Sequence, residues 1–161
     1  MTAKRVVIAL IILLLLGAYM AKRKEINKAV GGFILSARSE ARMIGVNDKL
    51  KAVVRRALAL SPFDFGVTQG KRTATEQKAM FDKGVSRLDG THKISKHQTG
   101  RAIDFVAYDE NGSVTWSFEY YEAIANAFKQ AARELRTPIV WGGDWVTFKD
   151  GPHIQLGNMV A

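Results

Sequence analysis

Two histidines and two aspartates in this chain are spaced as a hydrolytic metal site needs them. His97 and Asp104 lie seven residues apart in Ser95-Lys96-His97-Gln98-Thr99-Gly100-Arg101-Ala102-Ile103-Asp104, and His153 closes Asp150-Gly151-Pro152-His153. Two imidazoles and one carboxylate make three ligands and leave an open position for water on a tetrahedral ion. Zn2+ suits this set, because it binds imidazole nitrogen and carboxylate oxygen at about 2.0–2.2 Å. Three protein ligands also let the ion lower the pKa of the water in its fourth position towards ~7. Asp150, the spare carboxylate, could take that water's proton and hand it to a leaving amine.

Each residue also has a plainer reading. A single histidine is more often a structural or surface residue than a ligand, and His92, in a polar stretch, reads as solvated. Asp104 differs, because it interrupts an apolar run, Ala-Ile-Asp-Phe-Val-Ala. A buried carboxylate without a partner is costly, so it needs a cation or hydrogen-bond donors, a metal or a structural arginine being the two main options. Arg72, read alone, is a capping or surface residue.

The elements that must position these groups follow from periodicity and caps. Asn47 can cap a helix from Asp48 to Leu60, with Leu50, Val53, Val54, Ala57 and Leu58 on one face and Pro62 beyond its end. Phe65–Gln69 reads as a short strand. Thr73-Ala-Thr-Glu76 fits a capping box for a helix ending at Gly84. Residues 85–96 read as loop. Ala102–Tyr108 alternates as a strand, with Asp104 on the face opposite Ile103 and Phe105, and His97 in the loop that enters it. Asp109–Gly112 is a turn. Phe118–Leu135 is the longest amphipathic helix, with Tyr121, Ile124, Ala125, Phe128, Ala132 and Leu135 in register. Ile139–Trp141 and His153–Leu156 are short strands, the second with His153 and Gln155 on one face. Helices and strands mix without regular βαβ alternation. The expected class is α+β, a small, mainly antiparallel sheet flanked by helices.

Composition narrows the function. The chain has 161 residues and no cysteine, which excludes disulfides and thiolate ligands. Its net charge of +9 is uneven: residues 1–56 hold 12 Lys/Arg against 3 Asp/Glu, whereas residues 57–161 hold 12 of each. The part with the histidines is therefore neutral, which disfavours a nucleic-acid binder. Val6–Ala21 carries no charge in 16 residues, with Lys4 and Arg5 before it and Lys22, Arg23 and Lys24 after it. This reads as a transmembrane signal anchor over 1–21, followed by a basic linker over 22–37 with a flexible Gly31-Gly32. A cleaved signal peptide is the competing reading, but its small-x-small site is weak. The folded domain is expected over 38–161.

Ser95-x-His97-x-x-Gly100-x-Ala102-x-Asp104 followed by Asp150-x-x-His153 resembles the M15 zinc peptidases, which include D-Ala-D-Ala carboxypeptidases and L-alanyl-D-glutamate endopeptidases. The resemblance is stronger to the phage endolysin branch. It runs from about Arg38 to Leu156 and includes Leu60–Thr73 and Trp141-Gly-Gly-Asp-Trp145. It implies zinc held by His97, Asp104 and His153, Asp150 as general base, and Arg72 as the substrate-binding arginine, with Ser95 and Gln77 in support. It further implies hydrolysis of peptidoglycan stem peptides, with L-Ala–D-Glu as the bond. The carboxypeptidase branch typically shows Glu-x-x-His, so Asp150 favours the endopeptidase branch over D-Ala-D-Ala cleavage. A non-catalytic wall-binding module with structural zinc is the reading from another class, and the presence of Asp150 argues against it. The enzyme is expected to be a monomer held in the inner membrane through residues 6–21, with its catalytic domain facing the periplasm or cell wall.

Overall fold

The computed structural model describes residues 32–158. Its elements run α1 (Ala37–Arg42), α2 (Asp48–Leu60), β1 (Phe65–Gln69), α3 (Ala74–Asp82), β2 (Ala102–Tyr108), β3 (Val114–Thr115), α4 (Phe118–Glu134), β4 (Ile139–Trp141), a 3-10 turn (Gly142–Asp144) and β5 (His153–Leu156). The expected transmembrane segment over 1–21 lies outside the described residues. Among the described residues no helix is long and apolar enough to cross a membrane. Phe33 and Leu35, in the stretch read as linker, pack against the core.

Capping chemistry sets the helix starts. Asn47 Oδ1 accepts from Lys49 N at 3.0 Å to open α2. Thr73 and Glu76 form a reciprocal capping box at α3: Thr73 Oγ1 accepts from Glu76 N, and Glu76 Oε2 accepts from Thr73 N at 2.7 Å. Each cap satisfies helix N–H groups that have no intrahelical acceptor.

The strands form one antiparallel sheet in the order β1-β2-β5-β4, with β3 paired to the end of β2. Alternation along β2 separates core from site. Ile103, Phe105 and Ala107 enter the hydrophobic core, where α2 contributes Leu50, Val53, Val54, Ala57 and Leu58 and α4 contributes Tyr121, Ile124, Ala125, Phe128, Ala131 and Ala132. Phe65, Phe105 and Phe128 meet there with ring centroids 5.0–5.4 Å apart. Asp104 projects from the opposite face. The architecture is thus α+β, with α2 and α4 on one face of a small antiparallel sheet and the acidic residue on the other.

Three features depart from the sequence-based expectation. Helix α1 has no apolar stripe, so periodicity does not predict it. It docks by polar groups instead: Ser39 Oγ accepts from Val67 N at 3.1 Å and Arg42 Nη1 donates to Val67 O at 2.8 Å. These bonds occupy the outer edge of β1, which would otherwise present unpaired backbone. Strand β3 is too short to show alternation. Leu135 is not a core residue; α4 ends at Glu134, and Leu135 caps it at 42% exposure.

Candidate active site

Strand register brings the expected ligands together. Asp104 on β2 stands directly opposite His153 on β5, so both side chains leave the same face of the sheet. On the other flank of β2, Gln69 of β1 stands opposite Asp104, beyond a bulge between Val67 and Gln69. The extra residue re-aims the end of β1 towards the Asp104 face, a common use of bulges beside functional sites.

His97 arrives from the loop before β2. Its backbone carbonyl accepts from Arg72 N at 3.1 Å and Gly100 N at 3.0 Å, and its N–H donates to Ser95 Oγ at 3.2 Å. Gly100 makes the return path possible. Its φ is +66°, and a Cβ there would stand 2.3 Å from the Gly45 carbonyl oxygen.

His97 Nε2, His153 Nδ1 and Asp104 Oδ1 form a triangle with sides of 3.3, 3.1 and 3.3 Å. Three ligands about 2.0–2.1 Å from one ion at the tetrahedral angle stand roughly 3.3–3.4 Å apart. The outer nitrogens fix the tautomers. His97 Nδ1 lies 2.9 Å from the Gly70 carbonyl oxygen, which can only accept, so that nitrogen carries the proton. His153 Nε2 lies 3.2 Å from Gln155 Oε1 and donates there. Two imidazole lone pairs and a carboxylate oxygen then converge on one point, an arrangement that a cation satisfies. The three residues form a group that could hold a metal ion.

Protons are the competing way to satisfy the cluster. Burial pushes the His153 imidazolium down, but its bond to Asp104 and that carboxylate's charge outweigh burial and raise its pKa. Burial likewise pushes the Asp104 carboxyl up, and the hydrogen bonds from His153 and His97 outweigh it and hold the group well below the usual carboxylate range. Trp145 packs on His153, ring centroids 5.2 Å apart, and further restricts that imidazole.

A cleft of about 410 Å³ opens over this cluster and is also lined by Asp150 and Arg72. Asp150 is half-buried. Burial first, and the Asp104 charge second, raise its pKa above the usual aspartate value. No side-chain hydrogen bond holds it among the described residues. Its place depends on Gly142, where a Cβ would fall 2.5 Å from Asp150 O and 3.1 Å from His153 Cβ.

Arg72 is buried, and its charge is held by neutral acceptors. Nη1 donates to Gln77 Oε1 at 2.6 Å and Nη2 to Gln69 Oε1 at 2.5 Å, while Asp104 Oδ2 lies farther off at 3.9 Å. The structural-arginine reading of Asp104 is thus met only by a long contact. Arg72 Nε is buried without a hydrogen-bond partner. Gln77 is itself fixed, donating to Ser86 Oγ and Leu88 O. His92 stays outside, its side chain 90% exposed against Asp89.

Gln69, Gln155, Trp145 and the Gly70 carbonyl are the groups that motif spacing does not disclose. Gln155 shares the His153 face by alternation, and Trp145, Gln69 and Gly70 fall within the segments that carry the resemblance, but neither signal assigns them a role.

The chain is similar to known peptidases. Residues 31–157 match the family model described as phage L-alanyl-D-glutamate peptidase. The chain is 41% identical over 114 residues to the L-alanyl-D-glutamate peptidase of Escherichia phage T5, a match that covers 70% of this chain and 82% of that protein. It is 30% identical over 117 residues to the peptidoglycan L-alanyl-D-glutamate endopeptidase CwlK of Bacillus subtilis (strain 168), covering 68% of each. The crystal structure of the Serratia marcescens L-Ala D-Glu endopeptidase ChiX aligns with a TM-score of 0.70 at 41% identity, over 80% of this chain and 92% of that one. An Asp and a His paired across neighbouring strands, a second His folded over them and a family match spanning the whole described domain lead to one conclusion: this chain belongs to the phage L-alanyl-D-glutamate peptidase family.

Proposed function

We propose that the protein is a zinc peptidase that hydrolyses the L-Ala–D-Glu bond of peptidoglycan stem peptides. The observation that carries the metal is the triangle of converging lone pairs at His97, Asp104 and His153, whose outer nitrogens are held by Gly70 O and Gln155. The bond is supported by the names of the relatives and by Asp150 in place of glutamate. Bound zinc would supply Lewis acidity, polarising the scissile carbonyl and acidifying the attacking water.

The chain's own residues do the rest. Asp150 takes the water's proton and returns it to the amine of the departing D-glutamyl residue. Its freedom from hydrogen bonds and its raised pKa suit a base that must also give the proton back. Arg72, which lines the cleft, orients the substrate with its guanidinium held in place by Gln77 and Gln69. Ser95 and Gln98 hold the His97 loop in shape: Ser95 Oγ accepts from His97 N, and Gln98 Nε2 donates to Gly90 O.

The uncharged run over residues 6–21 and its basic flanks support a tether in the inner membrane; both flanks are positive, so the wall-side position of the catalytic domain rests on its proposed peptidoglycan substrate alone. Carbonate extraction of membranes carrying the full chain tests the tether; release of the protein into the soluble fraction would refute it.

Asp150→Ala tests the mechanism. A general base contributes about 10²–10⁴-fold, so the variant loses activity on that scale while binding one zinc per chain. Unchanged turnover would remove Asp150 from the mechanism, and loss of the zinc would make it a structural residue.

A further inference from the structure

Two guanidinium groups line the cleft, and they are held in opposite ways. Arg72 is buried, with both terminal nitrogens engaged by glutamine oxygens. Arg87 is exposed, in the loop between α3 and β2, and its guanidinium carbon lies 5.5 Å from the ring centroid of Phe148. Phe148 belongs to the segment that also supplies Trp145 and Asp150, so the contact joins one wall of the cleft to the other.

An arginine over an aromatic face is oriented by the ring, while its N–H donors point outward in the guanidinium plane. None of those donors meets a carboxylate among the described residues. The two carboxylates that line the cleft are otherwise engaged: Asp104 in the metal group, and Asp150 as the proposed base. Lys149 also rides on an aromatic ring, 5.2 Å from the Phe118 centroid, but it does not line the cleft. Among the described residues, Arg87 is therefore the cleft-lining cation whose terminal N–H donors are left for an anionic ligand.

The substrate class supplies the anion. A glutamyl residue joined through its amine to alanine, and through one carboxyl to the next residue, has its other carboxyl outside the chain, an anion unless it is amidated. When the Ala–Glu bond breaks, that carboxylate sits on the residue that leaves with the amine. We infer that Arg87, oriented by Phe148, binds the free carboxylate of this D-glutamyl residue and makes the protein select against stem peptides in which that carboxylate is amidated. The inference rests on the stem-peptide reading given above. Arg87 is a positioning residue: it fixes substrate register and takes no part in proton transfer, so it acts on KM more than on kcat.

The test compares two synthetic stem peptides that differ only in whether this carboxylate is free or amidated, cleaved by the full-length, zinc-loaded protein. A charge-assisted bond at a partly open site corresponds to roughly tenfold in affinity. The protein is expected to prefer the free acid by about tenfold in kcat/KM, chiefly through KM. Arg87→Met should raise KM for the acid by about the same factor, hold kcat within about twofold, and bring the acid-to-amide ratio close to one. Arg87→Lys should keep part of the preference, because the charge survives and the planar fork does not. Equal cleavage of acid and amide by the unaltered protein would overturn the inference alone, as would a preference that persists in Arg87→Met. Failure to cut either peptide between alanine and glutamate would overturn the stem-peptide reading, and this inference with it.

Discussion

At the scale of single residues, the site is governed by which atom of each ligand is free. His97 Nδ1 donates to Gly70 O and His153 Nε2 to Gln155 Oε1, so the lone pairs of the other two ring nitrogens face Asp104 Oδ1. Outer partners of this kind typically tune metal affinity by 10–100-fold. Gln155→Met keeps the side chain's bulk and removes the acceptor, so zinc affinity should fall by about 10–100-fold with the fold intact. Competitive titration against a chromophoric chelator measures it; an unchanged affinity would show that Gln155 does not set the tautomer. His97, Asp104, His153 and Asp150 stand out in the sequence because metal chemistry restricts residue types, and the motif resemblance is what implies their roles. Gln69 and Gln155 do not stand out, because a glutamine on a short strand has many ordinary uses until its neighbours are known.

At the scale of elements, the site depends on backbone that approaches itself closely. The loop from α3 to β2 carries His97 and folds back at Gly100, where a Cβ would meet the Gly45 carbonyl at 2.3 Å. Gly100→Ala adds this clash to the strain of a left-handed alanine, each on the order of 1–3 kcal/mol. Thermal or denaturant unfolding should show a loss of about 2 kcal/mol or more, together with weakened zinc binding. A loss under about 0.5 kcal/mol would mean that the loop relaxes freely. Most elements were readable from caps and periods: Asn47 and Thr73 open their helices, and β1, β2, β4 and β5 occupy the spans their patterns indicate. Helix α1 was not, because Ser39 and Arg42 dock it by hydrogen bonds to Val67 and leave no apolar period. The β1 bulge was hidden too, since it appears only when β1 is laid against β2.

At the scale of the whole molecule, metal binding and folding are linked. The three ligands come from a loop and two strands that meet only in the folded chain, so zinc should stabilise the native state. At free zinc a hundredfold over Kd, this is roughly 2.7 kcal/mol, or a rise in Tm of about 10 °C for a domain of this size. The effect depends on pH. Zinc needs the neutral His153 imidazole, and Asp104 raises that group's pKa, so the proton competes more strongly as pH falls. The zinc-induced Tm shift should be full above that pKa and shrink below it. Scanning calorimetry with zinc and with chelator across pH checks this, and a shift constant down to acid pH would contradict the assigned ligands. The fold class was legible from the irregular alternation of helix and strand. Which face of β2 would carry the site was legible from Asp104 alone, because that carboxylate could not join Phe105 in the core.

The proposed activity is zinc-dependent cleavage of the stem peptide between L-Ala and D-Glu. The most direct measurement is mass spectrometry of purified peptidoglycan digested by the zinc-loaded protein, with a chelator-treated control. New L-Ala carboxyl termini and D-Glu amino termini are expected, and only with zinc. Free D-alanine released from stems whose L-Ala–D-Glu bonds stay intact would contradict the proposed activity.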